Sequence, residues 1–112
     1  MMELDVRVHR TGQVCTLAVT GEVDVYTSPV LKSYIVSALD DGCTDLVVDL
    51  EGVAFIDSSG LGVLVSGLRR VKEQAGSMRL VCTRDSILKI FRITGLDKVF
   101  PVFGSASDAA EF

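Results

Sequence analysis

The segment Phe55-Ile56-Asp57-Ser58-Ser59-Gly60-Leu61-Gly62 carries the side chains of this sequence that are best suited to chemistry. It places one carboxylate beside two hydroxyls and follows them with two glycines. A serine hydroxyl can accept a phosphoryl group, and a carboxylate can cap a helix or accept phosphate itself. This segment is therefore the first candidate for a functional site.

The residues on either side predict that the segment joins a strand to a helix. Leu46-Val47-Val48-Asp49-Leu50 is almost wholly apolar, which is the pattern of a central strand covered on both faces. A loop over 51–58 follows it. A helix is then predicted from about Ser59 to Ala75, ended by Gly76, because apolar residues recur at helical spacing: Leu61, Leu64, Val65, Leu68 and Val71. The site thus lies at the carboxyl end of a parallel strand, where open α/β sheets bind their ligands.

The start of a helix favours a phosphate group. The backbone N–H groups of Ser59, Gly60 and Leu61 have no partner within the helix, and the macrodipole adds partial positive charge beside the Ser58 hydroxyl. A simpler interpretation is that Ser58 or Asp57 only caps the helix, which contributes about 1 kcal/mol. Local physical chemistry alone favours the simpler interpretation.

Glycine in a first helical turn costs roughly 1 kcal/mol relative to alanine, so Gly60 and Gly62 need a reason to be there. Their missing side chains would let another backbone or a ligand approach closely. We expect them to clear space for a partner.

The other elements form a regular series. Alternating apolar residues predict an opening hairpin over 4–8 and 14–19. A helix should begin near Pro29, capped by Thr27 or Ser28, and end at Asp41-Gly42. Its buried face would carry Val30, Leu31, Tyr34, Ile35, Ala38 and Leu39.

Beyond the candidate site, 78–82 reads as another buried strand. A third helix should open at Thr83-Arg84-Asp85-Ser86, bury Ile87, Ile90 and Phe91, and end at Gly95. A short edge strand over 99–102 and a last helical turn over 105–112 complete the series. The order predicts an α/β fold in one domain over 1–112. Its mixed, mostly parallel sheet has four to five strands, opens with an antiparallel hairpin and packs against helices.

Composition excludes several classes of function. Eleven basic against fifteen acidic residues give a formal charge of -4, which disfavours a nucleic-acid surface or an anionic-membrane footprint. No apolar run approaches the roughly 20 residues of a membrane span, and the first residues lack a signal-peptide pattern, so a cytoplasmic location is expected. The spacing of Cys15, Cys43 and Cys82 suggests neither a zinc site nor a disulfide framework. We interpret them as core residues, with a redox-sensing pair as the alternative.

Three segments together resemble one known family. The candidate site, 55–62, is similar to the signature of bacterial anti-sigma factor antagonists, the single-domain branch of the STAS fold. Gly21-Glu22-Val23-Asp24 resembles the loop before the first helix of that family, and Ile93-Thr94-Gly95-Leu96-Asp97-Lys98-Val99-Phe100 resembles its third-helix exit. The likeness spans about residues 4–110. It is strongest to the actinobacterial antagonists that govern development and stress sigma factors.

The resemblance implies a non-catalytic protein-binding domain without cofactor or metal. The unphosphorylated form would bind an anti-sigma factor and free its sigma factor. The anti-sigma factor, itself a serine kinase, would phosphorylate Ser58 and thereby dissociate the complex. A metal-dependent serine phosphatase would restore binding, and the protein would be a monomer or weak dimer. The recognition surface is expected to comprise Asp24, Asp57, Ser58, Ser59, Gly60 and Leu61, with apolar contact from Val23 or Leu61.

Three alternatives remain at this point. A serine hydrolase is disfavoured because no Gly-x-Ser-x-Gly elbow exists and the one histidine, His9, is expected on the surface of the opening hairpin. A receiver-like domain phosphorylated on Asp57, with Thr83 after a later strand, is disfavoured by the opening hairpin and by the lack of an acidic pair after the first strand. A STAS scaffold that binds partners without phosphorylation is the third.

Overall fold

A five-stranded mixed sheet organises the chain, of which the computed structural model describes residues 4–111. The strands lie in the order β1-β2-β3-β4-β5, with β1 antiparallel to β2 and all later pairs parallel. This confirms the predicted hairpin and mostly parallel sheet. Their bounds are Asp5–Thr11, Val14–Val23, Asp45–Ile56, Ser77–Val81 and Val102–Phe103.

Helices cover the two faces of this sheet unequally. They are α1 (Ser28–Asp40), α2 (Ser58–Glu73), α3 (Asp85–Thr94) and α4 (Ala106–Glu111). A single 3-10 turn, Leu96–Lys98, follows α3. Side chains alternate between the faces along each strand. The first three helices pack on one face over the main core, and α4 packs on the other against Val47 and Val81.

The central strand β3 is longer than predicted. The segment 51–56, expected as a loop, continues the strand because it pairs in parallel with β2, up to the pair Val23 and Ile56. Two register shifts accompany this pairing, and at each of them β3 has one residue more than β2. At one of them, a Cβ atom on Gly52 would lie only 2.9 Å from the Val19 carbonyl oxygen. Glycine is needed there for the strands to approach, so the polar and glycine residues that suggested a loop belong to an irregular strand.

Two details of the helices differ from the predictions. Val30 and Tyr34 are exposed, so the buried face of α1 is narrower than its apolar sequence suggested. The left-handed residue after α2 is Ala75, at φ 58°, and not Gly76. Gly76 still helps to end the helix, because its N–H donates to the Val71 carbonyl at 2.7 Å. A Cβ atom there would also collide with the carbonyl oxygen of Thr44.

Near the carboxyl end, α3 ends at Gly95 in the left-handed conformation, as predicted. The last strand begins at Val102, and so lies later than the predicted strand over 99–102. Phe100 instead enters the core and meets Phe91 edge to face, with ring centroids 6.4 Å apart. The predicted final helical turn is α4, and Phe112, included in that prediction, lies outside the described residues. Between residues 4 and 111, the helices are too short or too polar to cross a membrane.

Two of the three cysteines are paired. Cys15 on β2 and Cys43 in the loop after α1 form a disulfide, with their Cα atoms 5.9 Å apart. Both lie in the core, as predicted, but the expectation that they form no disulfide was wrong. Residues 28 positions apart in sequence are brought together by the parallel packing of β2 and β3. Cys82 is a free thiol buried in the core, as predicted.

Candidate functional site

Asp57 is the only residue between β3 and α2, and it caps the helix. Its backbone is extended, with φ −109° and ψ −172°, and Oδ1 accepts hydrogen bonds from the N–H groups of Ser59 at 2.9 Å and Gly60 at 3.3 Å. The Asp57 carbonyl accepts from the N–H of Leu61 at 3.0 Å. The expectation that these three amides lack partners was therefore wrong, and of the two cap residues that the sequence offered, Asp57 and not Ser58 caps the helix.

The two neighbouring hydroxyls differ in their surroundings. Ser59 is half-buried, and its Oγ donates a short hydrogen bond to Oδ1 of Asp57. Ser58 is the first residue of α2 and is exposed. Its Oγ has no hydrogen-bond partner within residues 4–111. Ser58 therefore offers a hydroxyl that an incoming phosphoryl donor can reach without breaking a contact.

The charge of Asp57 is stabilised by the same contacts. The hydrogen bond from the Ser59 hydroxyl lowers the pKa of the Asp57 carboxyl, and the backbone N–H groups of Gly60 and Ser59 lower it further. The partial positive charge at the start of α2 acts in the same direction. Asp57 is therefore a carboxylate at neutral pH, directly beside the Ser58 hydroxyl.

A second loop is shaped by Asp24. Its Oδ1 accepts from the N–H groups of Tyr26 at 2.9 Å and Thr27 at 3.0 Å. Thr27 occupies the cap position of α1, but its hydroxyl makes no cap bond to the helix and instead donates to the carbonyl of Glu22 at 2.7 Å. Thr27 is therefore the cap residue, as predicted, but its side chain does not cap the helix. Asp24 and Thr27 together fold the turn before Pro29.

The two loops meet at one end of the sheet. The N–H of Asp57 donates to the Val23 carbonyl at 3.1 Å. Behind this bond, a Cβ atom on Gly60 would lie 2.6 Å from Cγ1 of Val23 and 2.7 Å from Cγ1 of Ile56. The prediction that Gly60 clears space for a partner was wrong, because it is buried and makes room for the core. Gly62 is exposed, with nothing within 4 Å, so its predicted role stays a prediction.

Sequence reasoning missed an exposed apolar cluster beside these loops. Val25 and Tyr26, 63% and 87% exposed, stand in the loop that Asp24 shapes, and Phe55, 46% exposed, pairs with Glu22 at the end of β3. Val23, predicted as a contact residue, is wholly buried, and Leu61 is half-buried against the core. The sequence did contain a signal for this surface, because these apolar residues lie in or beside predicted loops. We call Val25, Tyr26 and Phe55 the apolar rim.

The residues needed by two alternatives lie elsewhere. His9 is exposed on β1 and pairs with Thr16 of β2. Thr16 is seven residues, or roughly 23 Å of strand, from Val23 beside the site. Thr83, which a receiver-like site would use, donates from Oγ1 to Oε2 of Glu51 at 2.7 Å. His9 is therefore not placed to act as a base for Ser58, and the Thr83 hydroxyl is bonded to Glu51 and not to Asp57.

Comparison with known proteins gives a consistent result. Residues 5–109 match the family model described as STAS domain. The chain is 35% identical over 101 residues to the anti-sigma-B factor antagonist of Bacillus subtilis, covering 90% of this chain and 92% of that protein. An anti-sigma factor antagonist from Mycobacterium paratuberculosis superposes with a TM-score of 0.89 at 28% identity, covering 97% and 92% of the two chains. The Bacillus cell fate determinant SpoIIAA in its phosphorylated form shares the fold, with a TM-score of 0.75 at 21% identity over 96% and 97%.

Proposed function

Because this chain belongs to the STAS domain family of anti-sigma factor antagonists, we propose that its unphosphorylated form binds an anti-sigma factor and thereby frees a sigma factor. The observation that carries the proposal is the exposed, unbonded hydroxyl of Ser58 at the point where the Asp24 and Asp57 loops are joined. The chain acts as a binding protein, and the chemistry belongs to its partners.

Phosphorylation of Ser58 is the switch in this proposal. The anti-sigma factor is a serine kinase that transfers a phosphoryl group to Ser58, and a serine phosphatase of the metal-dependent class removes it. Ser58 is favoured over Ser59 because the Ser59 hydroxyl is half-buried and held by Asp57. Transfer to Ser59 would first break that bond and leave the Asp57 carboxylate with one donor fewer.

The switch acts at the interface rather than through unfolding. A phosphoserine carries a charge of about -1.5 to -2 near neutral pH. On Ser58 it adds to the carboxylates of Asp57 and Asp24 without displacing any contact of the Ser58 side chain. It would face the nucleotide phosphates held by the kinase, and like charges meeting at an interface cost several kcal/mol.

The proposed interface combines this acidic centre with the apolar rim. Asp24, Asp57, Ser58, Ser59 and Gly60 give it shape and charge, since Asp24 and Asp57 fix their loops and buried Gly60 lets α2 approach Val23. Tyr26 and Phe55 supply exposed aromatic surface, and such residues commonly dominate binding energy at interfaces. Leu61 contributes the exposed part of a side chain anchored in the core.

The location and the assembly state of the protein are also proposals. We place the protein in the cytoplasm, as a single STAS domain over 1–112 that acts as a monomer or weak dimer without cofactor. The acidic overall charge of -4 suits a partner with a basic docking surface.

The test is to incubate the protein with candidate anti-sigma kinases and ATP, and to map any phosphate by mass spectrometry. The proposal expects one acid-stable phosphate on Ser58, absent from Ser58→Ala and retained in Ser59→Ala. Hydroxylamine-labile phosphate on Asp57 would favour the receiver-like alternative. Stable binding of an anti-sigma factor with no phosphate transfer from any kinase tested would favour the unphosphorylated scaffold.

A further inference from the structure

A groove between α1 and the opening hairpin leads to the disulfide. Both cysteines line it, together with Val8, Arg10, Tyr34 and Asp41. Cys15 pairs with Leu46 near the start of β3, whereas Ser58 follows the end of that strand. The groove therefore belongs to the opposite end of the sheet from the partner-binding site, and the proposed function does not use it.

The backbone holds the two cysteines together independently of the sulfur–sulfur bond. Cys15 lies near the beginning of β2 and is paired on both sides, with Arg10 of β1 and Leu46 of β3. The N–H of Cys43 donates to the Ala38 carbonyl at 3.0 Å, which fixes the loop after α1. The resulting Cα separation of 5.9 Å is within the range of disulfides. Two reduced thiols would thus stay at bridging distance.

A cation stands next to the pair. The guanidinium of Arg10 donates to the carbonyls of Gly12 and Asp41, each at 2.8 Å. Its third nitrogen is 3.6 Å from where a Cβ atom on Gly42 would be, so the guanidinium borders the residue before Cys43. Positive charge close to a cysteine favours the thiolate, the form that reacts with oxidants and disulfides.

We propose that Cys15 and Cys43, which are 2% and 1% exposed at the floor of this groove, are a reversible redox modification site. The pair is oxidised by a peroxide and reduced by a small thiol, both of which approach along the groove. In oxidation, two thiols lose two protons and two electrons as the S–S bond forms. The O–O bond of hydrogen peroxide breaks, and two water molecules leave. In reduction, two small thiols supply the same protons and electrons and become a disulfide themselves.

The consequence is a redox-dependent stability. The bond closes a loop between residues 28 positions apart and ties the beginning of β2 to the segment that leads into β3. Such a link constrains the unfolded chain far more than the folded one, whose backbone already holds the cysteines together. We therefore expect the oxidised protein to unfold at a temperature roughly 10 °C higher than the reduced protein.

Cys82 provides a control within the same chain. It is buried, its Sγ lies 3.8 Å from the Arg84 carbonyl oxygen, and burial raises the pKa of its thiol. No second cysteine faces it, because the other two are bonded to each other. Cys82 should therefore stay reduced under conditions that oxidise the pair.

The experiment follows all three cysteines in the full chain. Protein reduced with dithiothreitol is desalted, titrated with hydrogen peroxide and labelled with two isotopic forms of an alkylating reagent before peptide mass spectrometry. Cys15 and Cys43 should lose reactivity together in a monomer whose mass falls by two hydrogens, and dithiothreitol should restore both without denaturant. Thermal unfolding should follow the same titration, and Cys82→Ser should behave in the same way.

Three results would overturn the proposal. They are unequal loss of reactivity at Cys15 and Cys43, formation of a bond involving Cys82, and a native bond that dithiothreitol reduces only after unfolding. The wild-type measurements decide the question even where Cys43→Ser fails to fold. Where that variant folds, it should lose the stability shift and leave Cys15 to form other oxidation products.

Discussion

The N–H of Asp57 donates to the carbonyl oxygen of Val23 at 3.1 Å, and this one backbone bond joins the loop before α1 to the turn before α2. Each loop is separately folded by an aspartate, Asp24 in one and Asp57 in the other. The bond fixes the position of one relative to the other. A partner that binds at the proposed site would therefore meet both loops as one surface, and changes in either loop should be measurable in its affinity.

Charge at Ser58 should control partner binding. We expect Ser58→Asp to weaken anti-sigma factor binding at least tenfold, because it adds a carboxylate beside Asp57. Ser58→Ala should bind like the wild type and resist phosphorylation. Isothermal titration calorimetry with the nucleotide-loaded kinase measures both, and Ser59→Ala is the matched control. Equal affinity of Ser58→Asp and wild type would refute an electrostatic switch.

Loss of the Asp57 cap should destabilise the domain. Asp57→Ala leaves the N–H groups of Ser59 and Gly60 without their acceptor, and a lost cap costs about 1 kcal/mol. Asp57→Asn should cost less, because an amide oxygen also accepts from backbone N–H groups. Urea denaturation measures the difference. An unchanged midpoint for Asp57→Ala would mean that the cap contributes nothing to stability.

The carboxyl group of Asp57 should also make the stability of the protein depend on pH. The pKa of Asp57 is lowered in the folded protein from an ordinary value of 3.8, so its contribution is fully present above that value. It is lost as the pH falls through the lower pKa of the folded state. We expect the stability difference between wild type and Asp57→Asn to be constant from pH 7 to about 5 and to shrink below 3.8. A difference that grows on acidification would contradict this sign.

Tyr26 should matter for binding and not for folding. Because its side chain is 87% exposed, we expect Tyr26→Ala to change the free energy of unfolding by less than about 0.5 kcal/mol. Its loss should weaken partner binding at least tenfold, as for an aromatic anchor. Ile93→Ala on α3 is the control, since this apolar residue is 74% exposed outside the proposed interface. If Tyr26→Ala and Ile93→Ala have similar effects on affinity, the apolar rim is not part of the interface.

Gly60 and Gly62, the first two glycines of α2, should respond in opposite ways to substitution. Gly60→Ala places a methyl group against Val23 and Ile56, and such overpacking costs about 1–3 kcal/mol. Gly62→Ala meets nothing within 4 Å and should keep or slightly raise stability, since alanine favours the helix. If a partner docks against Gly62, that variant alone will combine normal stability with weaker binding. Thermal unfolding and titration calorimetry together separate the two effects.

Sequence periodicity was sufficient to predict the helices and strands that bury one regular face. The opening hairpin, α2, β4 and α3 were predicted because their apolar residues recur at strand or helix spacing. It failed for residues 51–56, where an irregular strand needs glycine and polar residues that usually indicate a loop. It also could not identify the partners of Cys15 or Gly60, because these are set by contacts between segments distant in sequence.

At the site, the family resemblance indicated Ser58 rather than Ser59, but the sequence did not indicate how the backbone amides are used. Ser58 and Asp57 are both good cap residues, and only the extended backbone of Asp57 decides between them. The apolar rim was missed because periodicity does not assign exposure to apolar residues in a turn. Val25 and Tyr26 stand outside the core because the Asp24 turn directs them there.

The hydrogen bond that holds the Ser59 hydroxyl on Asp57 has a consequence for signalling stoichiometry. Two adjacent serines at one helix terminus would ordinarily give a mixture of singly and doubly modified products with graded affinities. With one hydroxyl engaged, the proposed switch would place a single phosphate on each molecule, which would then be either competent or incompetent to bind. The response of a population of these molecules would then follow the fraction that is phosphorylated. The opposing rates of the kinase and the phosphatase would set that fraction.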